Sequence, residues 1–180
     1  MYNFLIKNKK NILIFLIFIS IISFLDTIRK GLLNGCDFQW QPAVLLWEGI
    51  NHYQKFISNG KHDFLCQGGE YAHLLQVVLY PYTLFKWEVA RALWVFTNIS
   101  FSIAIPIIIC KNFKLSKYKT IILLLIFLTC YPTRMTINYG QQSLFVLFFL
   151  ILPFLYKSNF SYLLSGFSSI KYSTGYIIFF

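Results

Sequence analysis

The chain has 180 residues, of which 57% are hydrophobic and 12% are charged, and its mean hydropathy is +0.61. Soluble domains carry roughly 25% charged residues, so a soluble fold of this composition would leave large apolar surfaces in contact with water. The formal net charge of +10 comes from 16 Lys and Arg against 6 Asp and Glu. The composition excludes an ordinary soluble domain and indicates a protein embedded in a membrane.

The lysines stand in clusters between apolar runs. A nucleic-acid interface needs basic side chains along one continuous surface, whereas cations at the ends of apolar segments are typical of membrane-flanking anchors. We therefore expect a membrane, and no nucleic acid, as the partner of these clusters. They are Lys7, Lys9 and Lys10 near the start and Lys111, Lys114, Lys117 and Lys119 farther along.

Six apolar segments, rich in Ile, Leu and Phe, follow one another along the chain. No internal repeat and no flexible linker divides them, so residues 1–180 are expected to form a single membrane domain. Because lipid-exposed backbone must satisfy its own hydrogen bonds, the predicted fold class is an all-α, polytopic membrane protein. The segments cover residues 11–25, 71–85, 89–110, 120–131, 143–156 and 160–180.

The first segment follows a lysine cluster and lacks a small-x-small cleavage site, so we expect it to remain as a signal anchor. At 1.5 Å per residue it covers about 22 Å, less than the roughly 30 Å of a hydrocarbon core. Snorkelling lysines and local thinning of the bilayer would make up the difference. Asp26 follows directly and is interpreted as an interfacial residue at the end of this helix.

Residues 26–70 contain five of the six carboxylates, and Glu88 is the sixth. Carboxylates are costly inside a bilayer, so this stretch is predicted to be a water-exposed loop. The lysines before the first segment place the loop on the extracytoplasmic side of the plasma (inner) membrane. The loop acids are Asp26, Asp37, Glu48, Asp63 and Glu70.

Inside the loop, residues 37–47 have the pattern of an amphipathic helix that lies along the membrane surface. Asp37 is expected to cap its start and Gly49 to end it. Residues 50–70 are expected to be polar turns. The apolar side of the helix is formed by Phe38, Pro42, Leu45 and Leu46, with Trp40 and Trp47 as interfacial rings.

The four cysteines divide into two pairs. Cys36 and Cys66 lie in the loop and can form a disulfide if the loop faces an oxidising compartment, but their spacing alone leaves the pairing open. Cys110 and Cys130 lie in apolar segments and are interpreted as buried small hydrophobes.

The segments 71–85 and 89–110 allow two arrangements. If both span the membrane, the lysine-rich connection 111–119 lies outside, against the positive-inside tendency. If one is only re-entrant, 111–119 returns to the cytoplasm, and the turn 139–142 faces the same side as Asp37. We prefer the second arrangement. The last segment runs to Phe180 without a polar tail, as expected of a truncated or split reading frame.

Short motifs recur in a fixed order. The most specific is Gly35-Cys36-Asp37-Phe38-Gln39, followed by Gly49-Ile50-Asn51-His52-Tyr53. The later ones are Tyr71-Ala72-His73-Leu74-Leu75 with Tyr80-Pro81, then Trp94 and Asn98, then Tyr139-Gly140-Gln141-Gln142-Ser143, and finally Ser165-Gly166 with Ile170-Lys171. This series resembles the N-terminal part of glycosyltransferase family 87, which are membrane enzymes of the GT-C type. His52 and His73 depart from it, because they stand where the family often has proline.

The resemblance implies transfer of a hexose, typically mannose, from a polyprenyl-phosphate-linked sugar to a lipid or glycan acceptor, without a cofactor. An inverting transfer needs one base to take the proton of the acceptor hydroxyl while the phosphate leaves. Asp37, an outside carboxylate at the membrane surface, is the candidate general base. Its alternative role is that of a helix N-cap alone, and the two roles are compatible.

Four further residues are candidates for substrate binding. Glu70 is a candidate contact of acceptor hydroxyls, although simple solvation is the favoured interpretation of this carboxylate. His73 can donate to a lipid phosphate. Gln141 belongs to a tight helix start whose free N–H groups can hold an anion. Lys171 lies in an apolar segment, where it would either neutralise the donor phosphate or mark an interface.

No metal site is expected, because the histidines lack a ligand spacing such as HxxxH. Two other functions stay open. A non-enzymatic membrane protein, such as a transporter subunit for lipid-linked sugars, would place polar residues in discontinuous helices near the midplane, whereas the acids here are concentrated in one loop. The third possibility is an inactive truncated product.

Overall fold

The computed structural model describes residues 9–35, 38–59 and 73–170. Every regular element in these ranges is helical, which confirms the predicted all-α class. In chain order they are α1 (Lys9–Asn34), α2 (Trp40–Trp47), α3 (His52–Asn59), α4 (His73–Val78), α5 (Tyr80–Thr83), α6 (Trp87–Asn112), α7 (Lys117–Thr129), α8 (Tyr131–Tyr139), α9 (Ser143–Leu155), α10 (Asn159–Ser165) and a 3₁₀ segment (Gly166–Ile170).

Two of these helices, α1 and α6, are long and apolar enough to cross a membrane, and α7 and α8 together are a third candidate. Each of the two long helices has 26 residues, which corresponds to about 39 Å. Large apolar side chains such as Phe15, Phe18 and Leu25 remain exposed along α1. These features confirm a polytopic membrane protein.

Helix α1 is longer than the sequence predicts, and Asp26 does not end it. The helix continues to Asn34 because Asp26 is satisfied within it. Its carboxylate accepts hydrogen bonds from Arg29 Nη2 at 3.2 Å and Lys30 Nζ at 2.7 Å, and such i,i+3 and i,i+4 pairs support a helix. The prediction that Asp26 is an end residue is wrong.

The segment 71–85 does not form a membrane-spanning helix in the described residues. It contains α4, of six residues, and α5, of four residues, with Pro81 in the first turn of α5. Helices of this length cover less than about 10 Å. Only the second of the two adjoining apolar segments, now α6, is long enough to span, as in the preferred arrangement.

Helices α7 and α8 form a broken pair that is bent by 51°. The break lies at Cys130, whose backbone is extended, and Pro132 stands in the first turn of α8. The sequence predicts a segment that ends at residue 131 and treats the next residues as a polar joint. Helix α8 is not predicted from the sequence, because its residues are too polar to form an apolar segment.

The long helices pack side by side in alternating directions. Near the start of α6, the Arg91 guanidinium donates a 3.0 Å hydrogen bond to Leu33 O at the end of α1. At the other end of the bundle, Asn112 Nδ2 donates a 3.0 Å hydrogen bond to Leu155 O. We call these the Arg91 end and the Asn112 end. The lysine-rich connection 111–119 lies at the Asn112 end, and the turn 139–142 lies at the Arg91 end.

Helix α2 ends as predicted but begins differently. Gly49 has φ 75°, and the N–H groups of Gly49 and Ile50 donate to Leu46 O and Leu45 O, which closes the helix. The N-cap position belongs to Gln39, with φ 65° and no side-chain cap. Asp37 lies outside the described residues, so a contact between its side chain and this helix stays a prediction.

Two other predicted segments differ from the structure. Residues 52–59 form α3 rather than polar turns. The segment 160–180 is not one continuous α-helix, because α10 ends at Ser165 and a 3₁₀ segment follows to Ile170. Residues 171–180 lie outside the described part of the chain.

Candidate functional site

Three of the five predicted site residues, Asp37, Glu70 and Lys171, lie outside the described residues. Cys36 and Cys66 do as well, so their bridge stays a prediction. His73 and Gln141 are described. The surroundings of the site are therefore built from Phe38, which directly follows Asp37, and from the elements that Phe38 contacts.

Phe38 is fully buried at the Arg91 end of the bundle, against the turn between α8 and α9. Its ring stacks on Trp94 with centroids 5.1 Å apart and planes 14° apart. A Cβ placed on Gly140 would lie 3.4 Å from Phe38 Cβ and 3.5 Å from Phe38 N, and Trp94 Nε1 donates a 2.7 Å hydrogen bond to Gly140 O. We call this meeting point the Phe38–Gly140 junction.

Tyr82 closes the junction from α5. Its ring stands edge-on to both Phe38 and Trp94, at centroid distances of 5.5 and 5.4 Å. Its hydroxyl shares a 2.8 Å hydrogen bond with the Thr97 hydroxyl. Burial raises the pKa of Tyr82 above its ordinary value, so this phenol stays neutral and able to donate.

The backbone at Gly140 and Gln141 does not offer the free N–H groups that the sequence suggests. Gly140 has φ 71°, and its N–H donates to Ile137 O at 3.3 Å, while the Gln141 N–H donates to Thr136 O at 2.9 Å. Both groups end α8 instead of starting α9, whose first residue is Ser143. The predicted anion site on these two amides is therefore wrong, whereas the half-buried Gln141 side chain keeps its candidate role.

Asn98 lies one turn after Trp94 and is fully buried. Neither its amide nitrogen nor its amide oxygen has a hydrogen-bond partner among the described residues. A buried polar group without a partner costs roughly 1–3 kcal/mol. The Trp94 and Asn98 motif therefore places one bonded and one unbonded polar group on the buried face of α6.

Several cations line the part of the bundle that leads to Gly35. Arg91 passes so close to Gly35 that a Cβ there would lie 3.4 Å from its side chain, and its guanidinium lies 5.4 Å from the Trp87 ring centroid. Two turns earlier on α1, Asp26 is surrounded by three cations. They are Arg29, Lys30 and Arg134, the last with Nη2 at 4.0 Å.

A second feature, which we call the His52 pocket, opens where α2 ends and α3 begins. Its volume is about 250 Å³. Asn51 lies at its edge and caps α3 by accepting from the N–H groups of Tyr53 and Gln54 at 3.1 and 3.2 Å. The other lining residues are Leu46, Gly49, Ile50, His52, Tyr53 and His73.

His52 is the buried wall of this pocket, with 1% of its surface exposed. Its Nε2 lies 3.4 Å from Gln76 Nε2, and its Nδ1 has no partner among the described residues. The rings of Tyr53 and His73 lie 4.0 and 5.8 Å away, centroid to centroid. Burial, and to a smaller extent the neighbouring His73, lowers the pKa of His52, so its ring is neutral at pH 7.

Some of these residues belong to motifs that the sequence predicts, and others do not. The structure brings together Phe38, Trp94 and Gly140, three residues of the sequence motifs. The motifs also include Asn98 and His52. Arg91, Arg134 and Gln76 were missed. A signal was available for Arg91, since it is a cation inside the predicted apolar segment 89–110. Among the described residues, no three His, Cys, Asp or Glu side chains cluster as metal ligands.

Comparison with known proteins identifies a family. The model of glycosyltransferase family 87 matches residues 72–176, more than half of the chain. The matched range includes His73, Trp94, Gln141 and Lys171, and it begins after Asp37 and Glu70. No curated protein and no solved structure matches the chain.

Proposed function

Because the chain belongs to glycosyltransferase family 87, we propose that it transfers a hexose, mannose in the first instance, from a polyprenyl-phosphate-linked sugar to a lipid or glycan acceptor. The transfer takes place at the extracytoplasmic surface of the plasma (inner) membrane. Asp37 acts as the general base. It takes the proton of the acceptor hydroxyl as that oxygen bonds to the sugar carbon, and the bond to the phosphate oxygen breaks.

The observation that carries this proposal is the Phe38–Gly140 junction. Phe38 is bonded directly to Asp37 in the chain, and it is held by Trp94 and Gly140, two residues of the motifs that characterise the family resemblance. A base must stand within about 3 Å of the proton it removes, and this requires a rigid support. A fully buried aromatic residue next to Asp37 supplies that support.

The cations at the Arg91 end support a phosphate-bearing donor. Arg91 is fixed against Gly35, two residues before Asp37, and its Nε has no partner among the described residues. Arg29, Lys30 and Arg134 add positive charge along the same part of α1. Positive potential of this kind attracts an anionic lipid headgroup to a membrane surface. His73, Gln141, Glu70 and Lys171 are proposed to contact the substrates.

One observation favours the alternative of a transporter subunit for lipid-linked sugars. The pair α7 and α8 is a discontinuous helix with Arg134 one turn after the break, and transporters bind substrates at such breaks. The family assignment outweighs it. A reconstituted assay separates the two functions, since a transporter moves the lipid-linked sugar between leaflets and forms no new glycosidic bond.

The experiment that tests the proposal is the Asp37→Asn variant of the full chain, assayed for transfer in membranes that contain it. The substitution keeps the size of the side chain and removes its basicity, so the rate should fall roughly 100-fold or more while membrane insertion is unchanged. Glu48→Gln, an exposed carboxylate at the end of α2, is the matched control and should retain activity. Full activity of Asp37→Asn, with loss in Glu70→Gln or Asp63→Asn, would assign the base to another carboxylate.

A further inference from the structure

The His52 pocket lies at the other end of α2 from Phe38, and of its described lining residues only His73 is among the substrate contacts proposed above. We propose that it binds a sugar ring of the acceptor, at a subsite away from the reacting hydroxyl. This inference rests on the proposed function, because it takes the transfer to occur at Asp37. It also selects a glycan over a simple lipid as the acceptor.

His52 has one ring nitrogen that no described residue pairs with. Gln76 engages Nε2, and Nδ1 is left buried without a partner among the described residues. Leaving such a buried group unpaired costs free energy, and a ligand that forms a hydrogen bond with it recovers that free energy on binding. A hydroxyl can both donate and accept, so it suits Nδ1 in either tautomer of the neutral ring. Rotamer changes of Tyr53 and His73, the two rings beside His52, would give a ligand access to it.

The other described walls of the pocket are neutral and largely apolar. Leu46 and Ile50 supply aliphatic surface, and Tyr53 supplies an aromatic ring. None of the described residues that line the pocket is a lysine or arginine, and the lowered pKa of His52 keeps that ring uncharged. These residues offer no cationic side chain to neutralise the charge of an anion such as phosphate. The C–H face of a pyranose ring packs well on such walls by dispersion, while its hydroxyls reach the polar groups.

The pocket also lies at a distance from Phe38. Helix α2 separates Phe38 from the pocket, and its eight residues extend for about 12 Å. Reacting atoms must approach to about 3–3.5 Å, so a ring in this pocket is not the sugar that is transferred. It is a ring of the acceptor that lies farther from the new bond. The volume of about 250 Å³ is below the usual range of about 300–1,000 Å³ for ligand pockets, which fits a single ring.

The test measures binding and not transfer. The full chain in detergent micelles is titrated with methyl α-mannoside, methyl α-glucoside and methyl α-galactoside by saturation-transfer NMR, and with inorganic phosphate by phosphorus NMR. At least one glycoside should bind, and Tyr53→Leu should raise its Kd about tenfold by removing the aromatic wall. His52→Phe should weaken binding as well. Tyr162→Leu, at an exposed tyrosine on α10, is the matched control and should bind as the unsubstituted chain does.

Three results would overturn the inference: no glycoside bound by the unsubstituted chain, equal binding by Tyr53→Leu and Tyr162→Leu, or binding of phosphate alone. The two proposals fail separately. Asp37→Asn should bind glycosides normally even though it cannot transfer. Binding that depends on Tyr53, in a protein that transfers no sugar in any form, would refute the proposed reaction and leave the pocket a sugar site.

Discussion

The indole N–H of Trp94 donates a 2.7 Å hydrogen bond to the carbonyl oxygen of Gly140, and both residues are buried. The ring of Phe38 stacks on the same indole at a centroid distance of 5.1 Å. One side chain near the start of α6 therefore joins the turn after α8 to the residue that follows Asp37. The position of Phe38 therefore depends on a residue that is far from it in the sequence.

Replacement of Trp94 by phenylalanine should show how much this bond contributes. Trp94→Phe keeps an aromatic ring against Phe38 but leaves Gly140 O without its donor, which costs roughly 1–3 kcal/mol in a buried site. We expect a lower midpoint of thermal unfolding in detergent and slower transfer. Trp87→Phe is the control, because the Trp87 indole donates no hydrogen bond to any described residue. Equal destabilisation by the two variants would mean that ring size, and not the hydrogen bond, is what matters.

The crossing of α1 with its neighbours depends on Gly31. A Cβ on Gly31 would lie 2.7 Å from Ile137 O and 3.1 Å from Val95 Cγ2, closer than such contacts permit. Gly31→Ala should therefore separate α1 from α8 at a cost of about 1–3 kcal/mol, seen as a lower unfolding midpoint. Gly166→Ala is the matched control, because nothing lies within 4 Å of its Cβ position and its φ of −55° is helical. A Gly31→Ala chain as stable as the Gly166→Ala chain would contradict this close approach.

The sequence predicts the apolar helices α6 and α9 better than it predicts the end of α1. Apolar runs identify α6 and α9 closely, because hydropathy is what a membrane selects. The same reading ends α1 at Leu25, since Asp26 looks like an interfacial residue until its partners are known. Arg29 and Lys30 were visible in the sequence, but the approach of Arg134 from α8 was not. A carboxylate that is paired within its own helix does not end it.

For the candidate site, the sequence predicts several of the residues but not the contacts between them. The order of the motifs names Phe38, Trp94 and Gly140, and it cannot show that they touch, because contacts between distant segments depend on how the helices cross. The tight turn at Gly140 was predicted, but its N–H groups were assigned to the wrong helix. That choice depends on φ at Gly140 and on the bonds back to α8, which are tertiary features.

The sidedness of the membrane can be tested with single cysteines in a chain whose four natural cysteines are replaced. Ser58→Cys in α3 and Tyr139→Cys at the Arg91 end should react with an impermeant maleimide in intact cells, since both are predicted to be extracytoplasmic. Lys114→Cys, at the Asn112 end, should react only after lysis. Labelling of Lys114→Cys in intact cells would reverse the predicted orientation. Labelling of all three would contradict the helix packing.

The stability of the folded chain should depend on pH through His52. Burial is the main cause of its lowered pKa, and the nearby His73 is the lesser one. Because the folded pKa lies below the unfolded value of about 6.5, the unfolded chain binds more protons in between. The stabilisation is therefore complete above that value and is lost as the pH falls through the folded pKa. The unfolding midpoint in detergent should drop on acidification from pH 7.5 to pH 5, less steeply for His52→Gln, whereas His73→Gln should keep most of the dependence. If the pH dependence disappeared in His73→Gln but persisted in His52→Gln, His73 and not His52 would be its source, and the prediction would be wrong.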